Sequence, residues 1–238
     1  MTERLDKIIS SQSNCSRKDA RIIIKRGRVR VNKKVVLSPE TKLDARFCEI
    51  VLDNDEVVYK KHVYIMLNKP KGILSAASDK TRKTVIDLLS DELKGRALFP
   101  VGRLDKDTTG LLLITDDGDF AHKVISPKSG IEKRYIATVE GKITVSDMRR
   151  FVTGITLADG TACLPARLSV LESSEVKSVA EVAIMEGKYH QIKRMFGVLE
   201  HPVLELHRIS IGSLRLDKTL DFGDYRELAG NEINLALQ

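Results

Sequence analysis

The chain has 238 residues, 42% hydrophobic and 31% charged, with 40 Lys/Arg against 33 Asp/Glu for a formal net charge of +7. That composition supports a folded core and excludes a disordered chain. No apolar run approaches the roughly 20 residues of a membrane helix, the N-terminus lacks a signal-peptide core, and Cys15, Cys48 and Cys163 lack the spacing of a disulfide framework or zinc site, so a cytoplasmic location is expected.

Leu5, Ile8 and Ile9 recur at i, i+3 and i+4, which predicts a short amphipathic helix over the first dozen residues. Ser16 with Asp19 three residues on makes a capping-box start for a second helix; Ala20, Ile23 and Ile24 form its apolar stripe and Gly27 its end. Arg17, Lys18, Arg21, Lys25 and Arg26 cover the rest of that helix, and Arg28 follows it. Residues 1–58 hold 13 Lys/Arg against 9 Asp/Glu, a net of +4, and Ser16–Lys34 carries nine basic residues against one acid. A basic face this dense tracks phosphates, the alternative being a merely solvated helix surface. Period-two alternation over Arg28–Val31, a turn at Asn32-Lys33-Lys34 and a return at Val35-Val36 predict a hairpin, with a further strand over Phe47–Leu52. Asp53-Asn54-Asp55-Glu56 reads as the start of a linker.

Beyond it, Val63–Leu67 reads as a strand, Asn68-Lys69-Pro70-Lys71-Gly72 as a turn and Thr84–Leu89 as a short helix. Leu111–Ile114, closed by Asp116-Asp117-Gly118, is a buried strand; Phe120–Ile125 is a helix that stops before Pro127. Ile136–Glu140, Val179–Met185 and Val203–Leu206 read as strands, Val145–Val152 and Tyr189–Leu199 as helices. Strands and helices mix without a regular βαβ repeat, which predicts an α+β domain. Gly102-Arg103-Leu104-Asp105-Lys106-Asp107-Thr108-Thr109-Gly110 leads into the buried strand. Such a loop can hold a reactive carboxylate rigidly at a surface or can be a capped turn, and its chemistry alone supports both readings equally.

Two sets of motifs resemble known families. Arg4-Leu5-Asp6-Lys7, Ser16-Arg17-Lys18-Asp19-Ala20 and Gly27-Arg28-Val29-Arg30-Val31-Asn32 are similar to the S4-like RNA-binding module over about residues 2–58. The Asn68–Gly72 turn, Gly102–Leu112, Glu132-Lys133-Arg134-Tyr135 and Glu186–Met195 resemble, in order, the motifs of pseudouridine synthases over about residues 62–228, the nearest group being the RsuA type and its large-subunit relatives. The resemblance implies a small S4-like RNA-binding domain at 1–58, then a synthase domain at 59–238 with a mixed, mainly antiparallel sheet flanked by helices.

It also implies a reaction. Turning uridine into pseudouridine breaks the ribose–N1 bond, turns the base and remakes the bond through C5, with no redox change, so no cofactor and no metal are expected. A carboxylate must act at the anomeric carbon, and Asp105 matches the family's aspartate. A carboxylate buried alone tends to protonate, so it needs a cation; by resemblance that is Lys193, where many relatives carry arginine, and lysine gives a point charge in place of a planar fork. Tyr135 is expected to stack on the flipped uracil, and Arg103 to enter the RNA stack that the base has left. His190 and Arg194 are expected to contact RNA, as are Arg17, Lys18, Arg21, Lys25, Arg26 and Arg28, while Asp107 and Thr108 shape the loop. Tyr189-His190-Gln191 is the small-subunit form of its motif, which favours one uridine of 16S rRNA, free or in a small-subunit assembly particle. A 23S enzyme and a non-catalytic RNA-binding or ribosome-assembly factor are the alternatives; a monomer away from membranes is expected.

Overall fold

The structure, a computed structural model, describes residues 2–13 and 15–238. The chain divides into two compact units, Met1–Val63 with Leu89–Leu98 and Tyr64–Leu88 with Phe99–Gln238.

In the first unit, helix α1 (Leu5–Gln12) and helix α2 (Arg17–Lys25) bury Leu5, Ile8, Ile9, Ala20 and Ile24 against Val29 and Ile50. The Ser16 hydroxyl accepts from Asp19 N and the Asp19 carboxylate accepts from Ser16 N, the reciprocal box that its spacing predicts. Asp6 is fully buried, yet it accepts two bonds from Arg4 and one from Arg17, and these cations hold its carboxyl at about 2. The Arg4-Leu5-Asp6 motif is therefore a brace between the two helices. Strands β1 (Val29–Val31) and β2 (Lys34–Val35) form the hairpin, with Asn32 and Lys33 both at positive φ, as a tight primed turn requires. Two expectations change. Residues Ala45–Phe47 form a 3₁₀ turn, so the strand read from Phe47 begins only at β3 (Ile50–Leu52). Asp53, at φ 57°, turns the chain into β4 (Asp55–Glu56), so the acidic stretch closes a hairpin of the same sheet, ordered β2-β1-β3-β4.

The second unit is built on one mixed sheet. Its strands are β5 (Tyr64–Lys69), β6 (Thr109–Thr115), β7 (Lys133–Glu140), β8 (Arg167–Ser173), β9 (Lys177–Ile184), β10 (Val203–Ile211) and β11 (Tyr225–Glu227), ordered β8-β9-β7-β10-β6-β5-β11. Every pair along that path is antiparallel except β10–β6, which runs parallel through only two residue pairs, His207↔Thr109 and Arg208↔Gly110. The sheet is thus two antiparallel halves joined along a short parallel seam. Helix α3 (Gly118–Ile125) packs Phe120, Ala121 and Val124 on Met66, Leu111 and Leu113. Helix α4 (Val145–Thr153) starts at a Thr144–Asp147 capping box and sets Phe151 against Phe196 of helix α5 (Gln191–Val198), ring centres 5.0 Å apart. Among the described residues no helix is long and apolar enough to cross a membrane.

Candidate active site

The loop from Gly102 to Gly110 lies at the seam. Gly110 has φ +98°, and a Cβ there would sit 2.3 Å from the Arg208 carbonyl oxygen and 2.7 Å from its nitrogen. Only glycine lets the loop end this close to β10. Gly110→Ala is expected to remove about 2–3 kcal/mol of stability, read as a lowered urea midpoint; an unchanged midpoint would mean that β10 yields freely.

The loop backbone is fastened from below. Lys69, wholly excluded from solvent, donates from Nζ to the carbonyls of Pro70, Asp105, Lys106 and Thr108 at 3.0, 3.2, 3.4 and 3.0 Å. Ser75 Oγ donates to Leu104 O and accepts from Leu104 N, and Gly72 N donates to Lys106 O. Burial pulls Lys69 down to about 8 against the opposing pull of Asp107 and Asp105. Lys69 lies in phase with Ile65 and Leu67 on β5, so period two already assigned it an inward position; read as part of a turn, it escaped notice.

With its backbone tied, Asp105 turns a quarter-exposed carboxylate into a small cleft of about 70 Å³ walled by Arg103, Tyr135, His190 and Lys193 among others. His190 Nε2 stands 3.5 Å from Asp105 Oδ1, and Lys193 Nζ 3.8 Å from Oδ2. Lys193 is closer to Asp107, donating to its Oδ1 at 2.5 Å, and this bond holds the Asp107 carboxyl below its usual range. Asp107 therefore does more than shape the loop. It fixes the ammonium that faces Asp105. His190 caps α5 in a left-handed conformation, φ 48°, and its ring stacks on the exposed Tyr189 with centres 3.9 Å apart. Lys193 lies in the first turn of α5, where the helix dipole adds to the positive field.

Tyr135 forms the opposite wall, 7% exposed. Its hydroxyl accepts from Arg208 Nη1 at 3.4 Å, and the guanidinium carbon lies 5.9 Å from its ring centre. Arg208 is buried, also donates from Nε to Leu111 O at 2.7 Å, and leaves Nη2 without a protein partner. Lys133 is a second buried cation nearby, lowered to about 8 by burial and by Arg208. The sequence offered one hint of Arg208, its phase with Leu206 on β10.

The remaining basic residues divide. Arg103 is exposed at the cleft mouth. Arg194 pairs with Asp159 at 2.5 Å and donates to Tyr189 O, so it is engaged within the chain. In the first unit Arg17 pairs with Asp6, Arg21 with Glu40, and Arg28 with Asp53 through two bonds. Lys18, Lys25 and Arg26 are exposed with no acidic partner among the described residues. No three His, Cys, Asp or Glu side chains gather as a metal site among the described residues.

The cleft can do carboxylate chemistry: a carboxylate oxygen fixed by its backbone, two nitrogen groups facing it, and an aromatic wall backed by a buried cation. Comparison with known proteins agrees with that chemistry. The RNA pseudouridylate synthase family matches residues 63–197 and the S4 domain residues 3–46. The chain is 40% identical to ribosomal small subunit pseudouridine synthase A of Vibrio cholerae, over 97% of each. It is 39% identical to ribosomal large subunit pseudouridine synthase B of Bacillus subtilis, over 97% of this chain and 94% of that one. A crystal structure of a pseudouridylate synthase superposes with a TM-score of 0.69 at 34% identity, covering 98% of this chain and 99% of that one. The fastened Asp105 loop and these matches lead to one conclusion: the chain belongs to the RNA pseudouridylate synthase family, as a synthase domain preceded by an S4 domain.

Proposed function

We propose that the protein isomerises one uridine of 16S rRNA in the cytoplasm, with the S4 domain binding RNA and the synthase domain receiving a flipped base. The observation that carries the reading is the meeting of Asp105, Lys193, His190 and Tyr135 in one cleft. A base must leave its stack to enter such a pocket, and Arg103 at the mouth can fill part of the gap. Asp105 then acts at the anomeric carbon as nucleophile, Tyr135 holds the freed uracil by its ring face, Lys193 balances the charge of the carboxylate and His190 positions it. The base turns, C5 displaces Asp105 at the anomeric carbon, C5 gives up its proton and N1 gains one, so atoms are conserved without a cofactor. On the S4 face, Lys18, Lys25 and Arg26 are the cations most available to phosphates, with Arg17, Arg21 and Arg28 able to exchange their acidic partners for RNA.

The 16S assignment is supported by Tyr189-His190-Gln191 and by the Vibrio cholerae relative, while the Bacillus subtilis relative keeps 23S rRNA as the rival. The deciding measurement is a map of pseudouridine in both rRNAs from cells with and without the gene. One site is expected to vanish from 16S rRNA; loss from 23S rRNA instead would overturn the assignment, and loss from neither would overturn an rRNA substrate.

A further inference from the structure

Successive residues on a strand point to opposite faces, and three strands of the synthase sheet do so around two different cavities. Tyr135, Ile184 and Leu206 line the Asp105 cleft, whereas Arg134, Glu181 and His207 line a second cavity, of about 620 Å³, on the other face. Residues 212–222 wall its far side.

Beneath its lining lie two polar atoms that the fold leaves unused. Asn68, 7% exposed, spends its amide nitrogen on Leu220 O, leaving Oδ1 without a protein partner. Ser210, 4% exposed, has no protein partner for Oγ. Folded proteins pair nearly all such atoms, and these two lie closed off from solvent beneath the cavity lining. The mouth is aromatic and cationic. Phe222 is 63% exposed, its ring set edge-on to His207 at 5.9 Å. The lining acids are engaged, Glu181 by Arg134 and Asp217 by Arg226, while Arg215 and Lys218 are exposed with no acidic partner among the described residues. Arg215 stands directly across the strand pair from Ser210.

An exposed aromatic face and two surplus cations at one cavity match the base and the phosphate of a nucleotide. We propose that this second cavity binds one nucleotide of a single-stranded RNA segment, its base against Phe222 and its phosphate between Arg215 and Lys218. Two cations suit one backbone phosphate, and an aromatic ring can stack only on a base that is free of a duplex. The site is separate from catalysis and does not depend on which uridine is isomerised.

The test uses the full chain with fluorescein-labelled hexaadenylate, which contains no uridine and cannot be a substrate. Ultraviolet crosslinking with peptide mapping is expected to give an adduct within residues 207–222, and binding anisotropy is expected to show Phe222→Ala weakening the oligomer on the order of fivefold or more. Phe222→Tyr should restore it, and Arg215→Gln with Lys218→Gln should weaken it about tenfold. Phe222 and both cations are exposed, so circular dichroism of the variants should match the parent. Adducts confined to residues 17–35, or equal affinity of Phe222→Ala, would overturn the site. An effect of the charge variant alone would reduce it to a nonspecific basic surface, and equal competition by duplex RNA would overturn the single-strand assignment. Isomerisation of rRNA by the wild type is scored separately, so failure here leaves the catalytic reading untouched.

Discussion

Asp105→Asn is expected to lower kcat for isomerisation by about a thousandfold or more while RNA affinity stays within about twofold. The substitution isolates the chemistry because the loop is held through its backbone. Lys69 and Ser75 bond to main-chain atoms of residues 104–108, and none of those bonds uses the Asp105 carboxylate. Asparagine has nearly the same shape, so the loop should keep its course, and Lys193 retains its bond to Asp107. What disappears is the anionic oxygen. Loss of hydrogen from uridine C5 measures turnover, and urea unfolding checks the fold; turnover near wild type would remove Asp105 from the role of nucleophile. Asp107→Asn is the informative control, since it keeps Asp105 and releases Lys193, and its kcat should change by less than about tenfold.

Lys69→Met is expected to lower stability by about 3–5 kcal/mol, because four carbonyls around the catalytic loop lose a shared donor inside the protein. The methionine stem fills similar space, so the deficit should come from those bonds and not from a cavity. Its pH dependence has a definite sign. Lys69 titrates at about 8 in the fold against 10.5 for a free lysine. Between those values the unfolded chain binds more protons than the folded one, so this group makes stability rise with pH. Below pH 8 both states are protonated and its contribution is flat. The wild type should therefore outlast Lys69→Met by a wider margin at pH 10 than at pH 7, as read from paired urea titrations. A margin that stays level or narrows would mean that the ammonium is not held in this low-dielectric position.

Local chemistry was legible along much of the chain. The Ser16–Asp19 and Thr144–Asp147 boxes, the Asn32-Lys33 turn and the buried Leu111–Ile114 strand follow from rules that act within a few residues. The Asp105 loop was visible as a motif, yet its chemistry could not separate a nucleophile from a capped turn. Structure adds the tertiary part. Lys69 lies 36 residues before Asp105, and Arg208 lies 73 after Tyr135; no local pattern says that they touch. Strand β8 escaped notice because its exposed, edge position removes the apolar alternation that marks a half-buried strand. Asp53-Asn54-Asp55-Glu56 was misjudged for a related reason: acidic residues read as a linker also suit the exposed turn of an edge hairpin.

The parallel seam bears on how the protein comes to life. Asp105 and Lys69 belong to the half of the sheet with β5 and β6, whereas Tyr135, Lys193 and Arg208 come from the half with β7, β9 and β10. Neither half alone places the Asp105 carboxylate beside Lys193. Only two residue pairs join the backbones there, reinforced by the Arg208–Leu111 and Lys193–Asp107 bonds, so the Asp105 cleft exists only where both halves have docked.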